Sequence, residues 1–412
     1  MQQINDFFAS VSSLLWGWPM MILLLGTHIF LTIRLRCPQR KLFTAIRLSI
    51  KRDKDASGDV SQFGALATAL AATIGTGNII GVATAIALGG PMYALEKGLG
   101  WKTMAILFAI FTMIASFGIG NTVQANAIAT IANNTYGISP WIMGAVVCGL
   151  TAAVIIGGVK SIAKVCGMLV PFMALFYILG CIYILFVNHN YVWPAISLIL
   201  KCAFSPEAAG GGFAGSSIMM VARYGLARGL FSNESGLGSA PIVAAAAQTR
   251  NPVRQALVSS TGTFWDTVII CALTGIVIVS SIIAYPDISY HDGAALTKMA
   301  FGKIPYVGEP LLSFGLLTFA FSTILGWSYY GERAVEYLKG KKWSYVYRLL
   351  YIVAVYVGSI ASLNIVWNIA DCMNALMAIP NLLSLLFLNG ILVHETRKYL
   401  WRDRLDKEME EQ

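Results

Sequence analysis

Two short stretches decide the fold: GTGNIIGVATA at residues 75–85 and GLGSAPIVAAA at 236–246, which share the pattern G-x-G-[NS]-x-x-x-V-A-x-A without a gap. Each lies inside a hydrophobic segment longer than one regular span of about 20 residues. Glycine inside a helix costs roughly 1 kcal/mol, and irregular backbone in a bilayer is tolerated only where it faces protein, water or a ligand. Paired broken helices in two halves are typical of inverted-repeat transporters, which bind substrate and ions at the breaks.

The alternative explanation of these glycines is close helix packing. Gly77 and Gly81 have the small-xxx-small spacing that lets two membrane helices approach each other. Packing does not explain the polar residues that accompany the glycines. These polar residues are Thr76, Asn78, Ser232, Asn233 and Glu234.

The composition indicates a polytopic membrane protein with one membrane domain. The 412 residues are 57% hydrophobic and 12% charged, whereas soluble domains carry about 25% charged residues. The first apolar run, 14–33, has no positive residue before it and no small-residue cleavage site after it, so it reads as a retained span. The net charge of +9 comes from Lys and Arg in short loops, which is typical of topology signals and speaks against nucleic acid binding.

Residue types that build metal or catalytic centres are sparse in this sequence. The seven cysteines are scattered singly and the four histidines have no helical ligand spacing. The sequence also has no GxSxG motif and no phosphate-binding loop that ends in Lys-Ser or Lys-Thr. We therefore expect neither an enzyme nor a metal centre.

Hydropathy predicts ten spans, and the loop charges predict their orientation. The loop 34–54 holds eight Lys or Arg residues and is therefore expected in the cytoplasm, with the N-terminus outside and the tail 394–412 inside. That orientation requires an odd number of crossings, and ten is even. The predicted spans are 14–34, 61–89, 102–131, 140–158, 166–187, 211–247, 255–284, 309–337, 344–363 and 369–393.

Loop charge and repeat symmetry place the missing crossing at the same point. The span that starts at residue 61 should end outside, yet the span that starts at Trp101 must begin inside, so residues 90–101 would lie on both sides. Counted from the broken helices, the second half holds five crossings and the first half only four. The span 255–283, which follows the second broken helix, has no equivalent in the first half. The gap therefore follows Gly90.

Six blocks of this chain together resemble the alanine or glycine:cation symporter family, that is, the sodium:alanine symporters. The resemblance runs from the first span to the last. It is carried by ATIGTGNIIGVATAIALGGP (72–91), FGIGNTVQANAIA (117–129), LARGLFSNESGLGSAPIVAAAA (226–247), GTFWDTVIICALTG (262–275), FSTILGWSYYGERA (321–334) and DCMNALMAIPNLLSLL (371–386).

The resemblance implies an all-α fold: a leucine-transporter-like 5+5 inverted repeat preceded by one extra span, eleven crossings in all. The extra span would be 14–34, the first repeat 61–187 and the second repeat 211–393. The implied activity is cotransport of a small neutral amino acid with Na⁺, or with H⁺, without another cofactor. This chain departs from the family at LGGPMYALEKG (88–98), where about fifty residues that include one span are absent.

The two breaks are the predicted substrate site. Thr76, Gly77 and Asn78 resemble the family's first break, where free N–H groups and a half-helix dipole receive a carboxylate. Ser232, Asn233, Glu234, Gly236 and Gly238 form the second break, which would meet the ammonium group or a cation. Intramembrane carboxylates are costly and usually functional. The structural alternative for Glu234 is an ion pair with Arg223 or Arg228.

The resemblance also implies a Na⁺ site. Ser322 and Thr323 would complete it with carbonyl oxygens near Ala72 and Gly75, since hard oxygen ligands suit this ion. The alternative is ordinary bonding of each hydroxyl to its own helix backbone.

Several further polar or aromatic residues are candidates with a structural alternative. Gln124 and Asn126 either contact a zwitterion or join helices, and Asp266 is either a proton or cation relay or a structural cap for the first broken helix. Trp327 either shapes a small side-chain pocket or belongs to the core. Asp371, Asn374 and Asn381 are expected to pack and gate rather than bind.

The expected mechanism is alternating access driven by Na⁺ or H⁺. The main alternative is a truncated family member that no longer transports, because removing a span beside a polar cavity would expose the cavity wall to lipid. The other alternative, a channel, would require pore-lining rings and a continuous polar stripe rather than two breaks at mid-membrane.

Overall fold

The protein is described by a computed structural model that covers residues 2–50, 59–73, 91–204, 234, 236–288, 293–361 and 364–407. These residues are almost entirely helical. The helices are α1 (Gln2–Leu15), α2 (Trp18–Arg34), α3 (Leu42–Ile50), α4 (Gln62–Thr73), α5 (Pro91–Tyr93), α6 (Lys102–Phe117), α7 (Val123–Tyr136), α8 (Pro140–Ile155), α9 (Gly158–Val187), α10 (His189–Phe204), α11 (Ala240–Ala244), α12 (Pro252–Thr263), α13 (Ala272–Ala284), α14 (Gly293–Gly302), α15 (Gly308–Lys339), α16 (Trp343–Ile360), α17 (Asn364–Phe387) and α18 (Asn389–Tyr399). A 3-10 turn covers Pro38–Lys41, and π-helical turns cover Ala94–Gly98, Gly118–Thr122 and Phe264–Cys271.

The described helices confirm an all-α polytopic membrane protein. Seven of them, some joined through a turn, are long and apolar enough to cross a bilayer, and two shorter apolar helices match two more predicted spans. Most of the remaining predicted span, 211–247, lies outside the described residues. The seven are Gln2–Arg34, Lys102–Tyr136, Gly158–Val187, Pro252–Ala284, Gly308–Lys339, Trp343–Ile360 and Val366–Phe387, and the shorter two are Gln62–Ala72 and Pro140–Ile155.

Two predicted boundaries were wrong in an informative way. Helical structure begins at Gln2 rather than at residue 14, and it is interrupted near Gly17, where Pro19 lies in the first turn of α2. The last predicted span, 369–393, is two helices that meet at Leu388. Hydropathy detects the apolar core of a span and not its amphipathic extension, so both helices continue where the apolar signal stops.

Helix α15 lies at the centre of the bundle. It packs against α4, α6, α7, α9 and α16, and it buries 61% of its most apolar stretch. Small residues on α15 allow several helices to approach it closely. A Cβ placed on Gly331 would lie 2.1 Å from the Tyr347 hydroxyl and 2.2 Å from that of Ser116. Only glycine allows α6 and α16 to approach α15 this closely.

The start of α4, the end of the second broken segment and the C-terminal tail meet at one end of the bundle. Val60–Ser61 forms a short parallel ladder with Ala247–Gln248. Three residues further on, the Asn251 amide donates to the carbonyls of Leu405 and Lys407, both at 2.9 Å. The tail therefore packs against the loop that follows the second break.

Residues 91–101 lie at this same end. The Tyr337 hydroxyl, near the end of α15, donates to Glu96 at 2.6 Å, and Trp101 packs on Phe387 with ring centroids 4.9 Å apart. Phe387 ends α17, from which the chain runs through α18 into the tail. Residues 91–101 and the start of α4 therefore lie at the same end of the bundle. The side of the membrane on which the helix starting at Lys102 begins stays a prediction.

Candidate substrate and cation site

Helix α4 meets α15 just before the first break. The Ser322 hydroxyl lies 3.2 Å from the carbonyl oxygen of Ala71 and 2.8 Å from that of Phe319. A Cβ on Gly326 would lie 2.6 Å from the Ala72 Cβ and 2.7 Å from its nitrogen. The two backbones are therefore in contact, and a buried hydroxyl faces a carbonyl across the interface.

This contact brings together two of the four predicted Na⁺ ligand positions. Ser322 and Ala72 are neighbours in the interface, although the carbonyl that Ser322 meets is that of Ala71 rather than Ala72. Thr323 bonds to the Phe319 carbonyl at 3.0 Å within its own helix, which is the structural alternative. Gly75 lies outside the described residues. The Na⁺ site remains a prediction, with one hydroxyl and one main-chain oxygen already adjacent.

The described residues of the second break have non-helical backbone. Glu234, Gly236 and Gly238 all have left-handed backbone, with φ of 48°, 81° and 88°. Such angles are costly for a residue with a Cβ, and a regular helix does not contain them. Glu234 is buried, and its carboxylate accepts a hydrogen bond from the Ser239 hydroxyl. The chain therefore turns at this point and holds a carboxyl group inside the protein.

Helix α17 supports this turn. The Asn381 amide donates to the Gly236 carbonyl at 2.9 Å, and a Cβ on Gly238 would lie 2.8 Å from the Asn381 side chain. This is the packing role expected for Asn381. The residues Ser232 and Asn233, and at the first break Thr76, Gly77 and Asn78, lie outside the described residues.

Two buried aromatic donors accompany Glu234. Trp327 and Tyr330 are both fully buried, and their rings meet edge to face with centroids 5.5 Å apart. The Glu234 carboxylate is an electrostatic neighbour of both side chains. The Trp327 indole N–H interacts with the Glu234 carboxylate, whereas the Tyr330 hydroxyl makes no hydrogen bond within the part of the chain that the structure describes. An unmade buried hydrogen bond costs about 1–3 kcal/mol, so the Tyr330 hydroxyl is suited to a polar ligand.

The π-helical turn between α6 and α7 packs against Trp327. A Cβ on Gly120 would lie 2.3 Å from the Trp327 Cβ, so the turn touches the tryptophan directly. Single π-helical turns within helices are often found at functional sites. The sequence predicted Trp327 as a pocket residue, and the structure places it between this turn and Glu234.

The other candidates from the sequence have structural partners. The Gln124 amide donates to the Ile119 carbonyl at 3.0 Å, within its own turn. The Asn126 amide donates to the Gly358 and Ala361 carbonyls at 3.2 and 3.0 Å, so it joins α7 to α16. Asp266 is buried in a π-helical turn and accepts from the neighbouring Thr267 hydroxyl at 3.3 Å. Of these contacts, only that of Asn126 joins two helices. The first break, which Asp266 would cap, lies outside the described residues, so the roles of Asp266, Gln124 and Asn126 remain predictions.

Tyr330 was not among the site residues predicted from the sequence. The signal was present, because Tyr330 follows Trp327 by three residues and therefore shares its helix face. Both lie in the block FSTILGWSYYGERA. An aromatic residue in an apolar helix is usually interpreted as core, which hid its position beside a carboxylate.

A comparison with protein families identifies the chain. The model of the sodium:alanine symporter family matches residues 1–91 and 87–412, which together cover the whole chain. The chain belongs to the sodium:alanine symporter family. It is therefore a membrane transport protein and not an enzyme.

Curated relatives of this symporter family agree over nearly full length. The sodium/alanine symporter AgcS of Methanococcus maripaludis is 45% identical, covering 95% of this chain and 96% of its own. An uncharacterized transporter of Haemophilus influenzae is 44% identical, covering 98% of both chains. The probable sodium/glutamine symporter GlnT of Bacillus subtilis is 32% identical over 99% of this chain and 93% of its own.

The same comparisons show where this symporter differs. The family model matches in two parts that meet at residues 87–91. The alignment with AgcS runs over 438 positions but covers 95% of the 412 residues, or about 391, which leaves about 47 positions without a residue of this chain. This agrees in size with the fifty-residue gap expected after Gly90, and the junction of the two parts agrees in place.

Proposed function

We propose that this protein is a secondary active symporter that moves a small neutral amino acid, alanine or glycine, together with Na⁺. Family membership supports the class, and the printed names of AgcS and GlnT support coupling to sodium. The observation that carries the proposal is the contact of Ser322 with the Ala71 carbonyl. It joins the central helix to the segment just before the first break, where a cation would connect the two.

The second break supplies the amino acid site in this proposal. The Glu234 carboxylate would neutralise the ammonium group or a cation, and the buried Tyr330 hydroxyl would donate to the carboxylate of the substrate. Gly120 and Trp327 lie in contact, and this contact would limit the substrate to a short side chain. Thr76, Gly77 and Asn78 would contribute from the first break.

Transport would occur by alternating access between two inverted repeats, 61–187 and 211–393, after the extra span 14–34. The membrane potential supplies enough energy, because one charge that crosses 100 mV gains about 2.3 kcal/mol, equivalent to roughly fifty-fold accumulation. The tail 394–412 would lie in the cytoplasm and the N-terminus outside.

Proteoliposomes test the coupling. We expect uptake of [¹⁴C]alanine to be saturable, to exceed the external concentration and to require an inward Na⁺ gradient; unlabelled glutamine should compete poorly. Uptake that is driven equally well by a proton gradient without Na⁺ would reassign the ion. Uptake that never exceeds equilibration would indicate a channel.

The second candidate is a family member that folds but does not transport. It is favoured by the roughly 47 alignment positions without a residue in this chain. Inserting the corresponding segment of AgcS after Gly90 tests this idea. If uptake appears only in the insertion variant, the native chain is transport-defective. Equal uptake and equal membrane yield would instead show that the shortened chain is complete in function.

Cysteine labelling tests the orientation directly. In a background without native cysteines, Lys97→Cys should react from the same side as Arg402→Cys in the tail, because residues 91–101 and the tail share one end of the bundle. Tyr306→Cys, whose side chain is 98% exposed between α14 and α15, should react from the opposite side. Labelling of Lys97→Cys together with Tyr306→Cys would overturn this topology.

A further inference from the structure

One buried tyrosine connects the π-helical turn to the central helix. Tyr351 of α16 is fully buried, and its hydroxyl lies 3.1 Å from the Gly120 carbonyl and 3.0 Å from the Ile324 carbonyl. Its own carbonyl accepts from the Asn121 amide at 2.8 Å. Tyr351 is therefore bonded to the turn through its side chain and its main chain.

The two carbonyls belong to two elements that border the candidate site, the π-helical turn Gly118–Thr122 and helix α15. We call these two elements the walls of the site. Gly120 is the residue that touches Trp327. Ile324 lies two residues after Ser322 and three before Trp327 on α15, so it sits between the predicted cation ligand and the predicted pocket residue. The Tyr351 hydroxyl thus determines how far the turn stands from this part of α15.

The local chemistry explains why a hydroxyl is needed there. A π-helical turn shifts the hydrogen-bond register of the helix, so its carbonyls are available to partners outside the helix. A buried carbonyl without a partner costs about 1–3 kcal/mol. The Tyr351 ring packs on Phe117 and Tyr347, with centroids 5.6 and 5.5 Å apart, so a phenylalanine would keep the packing and lose only the hydrogen bonds.

We propose that Tyr351 is a positioning residue for transport: its hydroxyl holds the Gly120 turn and the 322–327 stretch of α15 at the spacing that both amino acid and Na⁺ require. The inference rests on the proposed symport function. It assigns no contact between Tyr351 and the substrate, because the Tyr351 hydroxyl is engaged by the Gly120 and Ile324 carbonyls.

The test is Tyr351→Phe, with Tyr347→Phe as the matched control. Tyr347 lies one turn earlier on α16 and is also buried, but its hydroxyl meets the Ser116 side chain at 3.0 Å. Ser116 keeps a second bond to the Met113 carbonyl at 2.7 Å. Each variant loses one buried hydroxyl. Only Tyr351→Phe removes the hydrogen bonds to the Gly120 and Ile324 carbonyls that link the turn to α15.

Initial uptake of [¹⁴C]alanine is measured over a range of alanine and of Na⁺ concentrations, together with the shift in Tm that alanine causes at saturating Na⁺. Tyr351→Phe should raise the half-saturating concentrations of alanine and of Na⁺ about tenfold, with Vmax within about twofold of the wild type; this corresponds to one hydrogen bond. Tyr347→Phe should leave both concentrations unchanged.

Two outcomes would overturn the inference alone. One is a Tyr351→Phe protein with wild-type half-saturation for both ligands, and the other is an equal change in Tyr347→Phe, which would indicate a general packing effect. A wild-type protein that neither takes up alanine nor gains Tm from it would remove the proposed function, and this inference with it. The response of the wild-type protein to alanine therefore distinguishes failure of this inference from failure of the proposed function.

Discussion

The central helix α15 and the helical segment Pro252–Ala284 are almost equal in length, at 32 and 33 residues, but they occupy different places. Pro252–Ala284 is the more apolar, yet it buries only 22% of its most apolar stretch, against 61% for α15. Within a bilayer, apolar residues gain nothing by leaving lipid for protein, so helix association depends on close packing and polar contacts. Hydropathy therefore identifies a crossing but does not place it in the bundle.

What does place a helix is its small and polar residues. Gly326 touches Ala72, whereas a Cβ on Gly275 of α13 would meet nothing within 4 Å. Ser322 reaches a neighbouring helix, and Glu332 forms a buried ion pair. Matched substitutions in the two segments test this difference.

The largest effect is expected from the ion pair at the end of α15. Arg348 donates to both Glu332 oxygens, at 2.8 and 2.5 Å. Arg348→Met leaves a carboxylate that is only 3% exposed without its partner, which should lower the free energy of unfolding by about 3–5 kcal/mol. The Tm of the purified protein in detergent measures this.

The control pair lies beyond α13, where Lys303 pairs with Asp287 and the carboxyl side chain is 67% exposed. Lys303→Met should leave the Tm nearly unchanged. The double variant Arg348→Met with Glu332→Leu should recover much of the lost Tm, because it removes the buried charge. An equal fall in the Tm of Arg348→Met and of Lys303→Met would contradict the expected difference between the two ion pairs.

The second effect concerns the glycines. Gly326→Val forces a side chain against the Ala72 backbone, 2.7 Å from its nitrogen, and overpacking of this kind costs about 1–3 kcal/mol. Gly275→Val enters open space and should not lower the Tm. Thermal unfolding and alanine uptake of both variants measure the difference, and uptake should be lost only in Gly326→Val. Retained uptake there would show that α4 and α15 need not touch.

The third effect is on ion dependence rather than stability. Ser322 and Ser280 are both buried and bond to the carbonyl three residues earlier, at 2.8 and 3.1 Å, but Ser322 also bonds to the Ala71 carbonyl of α4, beside the predicted Na⁺ site. Ser322→Ala should raise the half-saturating Na⁺ concentration for alanine uptake about tenfold, which is the effect of one lost oxygen ligand or hydrogen bond. Ser280→Ala should match the wild type. If the Na⁺ dependence of Ser322→Ala is normal, the ion does not use this hydroxyl.

The smallest effect is expected at Asn126. Its amide bonds to two α16 carbonyls, so Asn126→Ala should lower the Tm by an amount that corresponds to about 1 kcal/mol without changing the alanine concentration at half-saturation. The same pair of measurements distinguishes this joining role from substrate contact. A raised half-saturating concentration at an unchanged Tm would restore Asn126 to the substrate site.

Most of the helices were predictable because a span needs about 20 apolar residues and this signal is strong. The same reasoning found no place for α10 or α14, which connect spans and lack that length of apolar sequence. At the site, Ser322 and Trp327 were predicted from a resemblance. Tyr330 and Tyr351 were not, because a tyrosine in an apolar helix gives no sign of which carbonyl or carboxylate it meets.

The sequence by itself determined that the chain is a polytopic membrane protein, and it predicts that its two halves repeat and that a crossing is missing after Gly90. Those properties depend on apolar length, loop charge and glycine spacing, which are local. Only the tertiary structure decided that α15 is central, that Glu234 lies beside Trp327 and Tyr330, and that residues 91–101 share an end with the tail. These depend on contacts between residues far apart in the chain, such as Trp101 with Phe387. Such contacts follow from side-chain shape and hydrogen bonding between helices, which a linear pattern does not record.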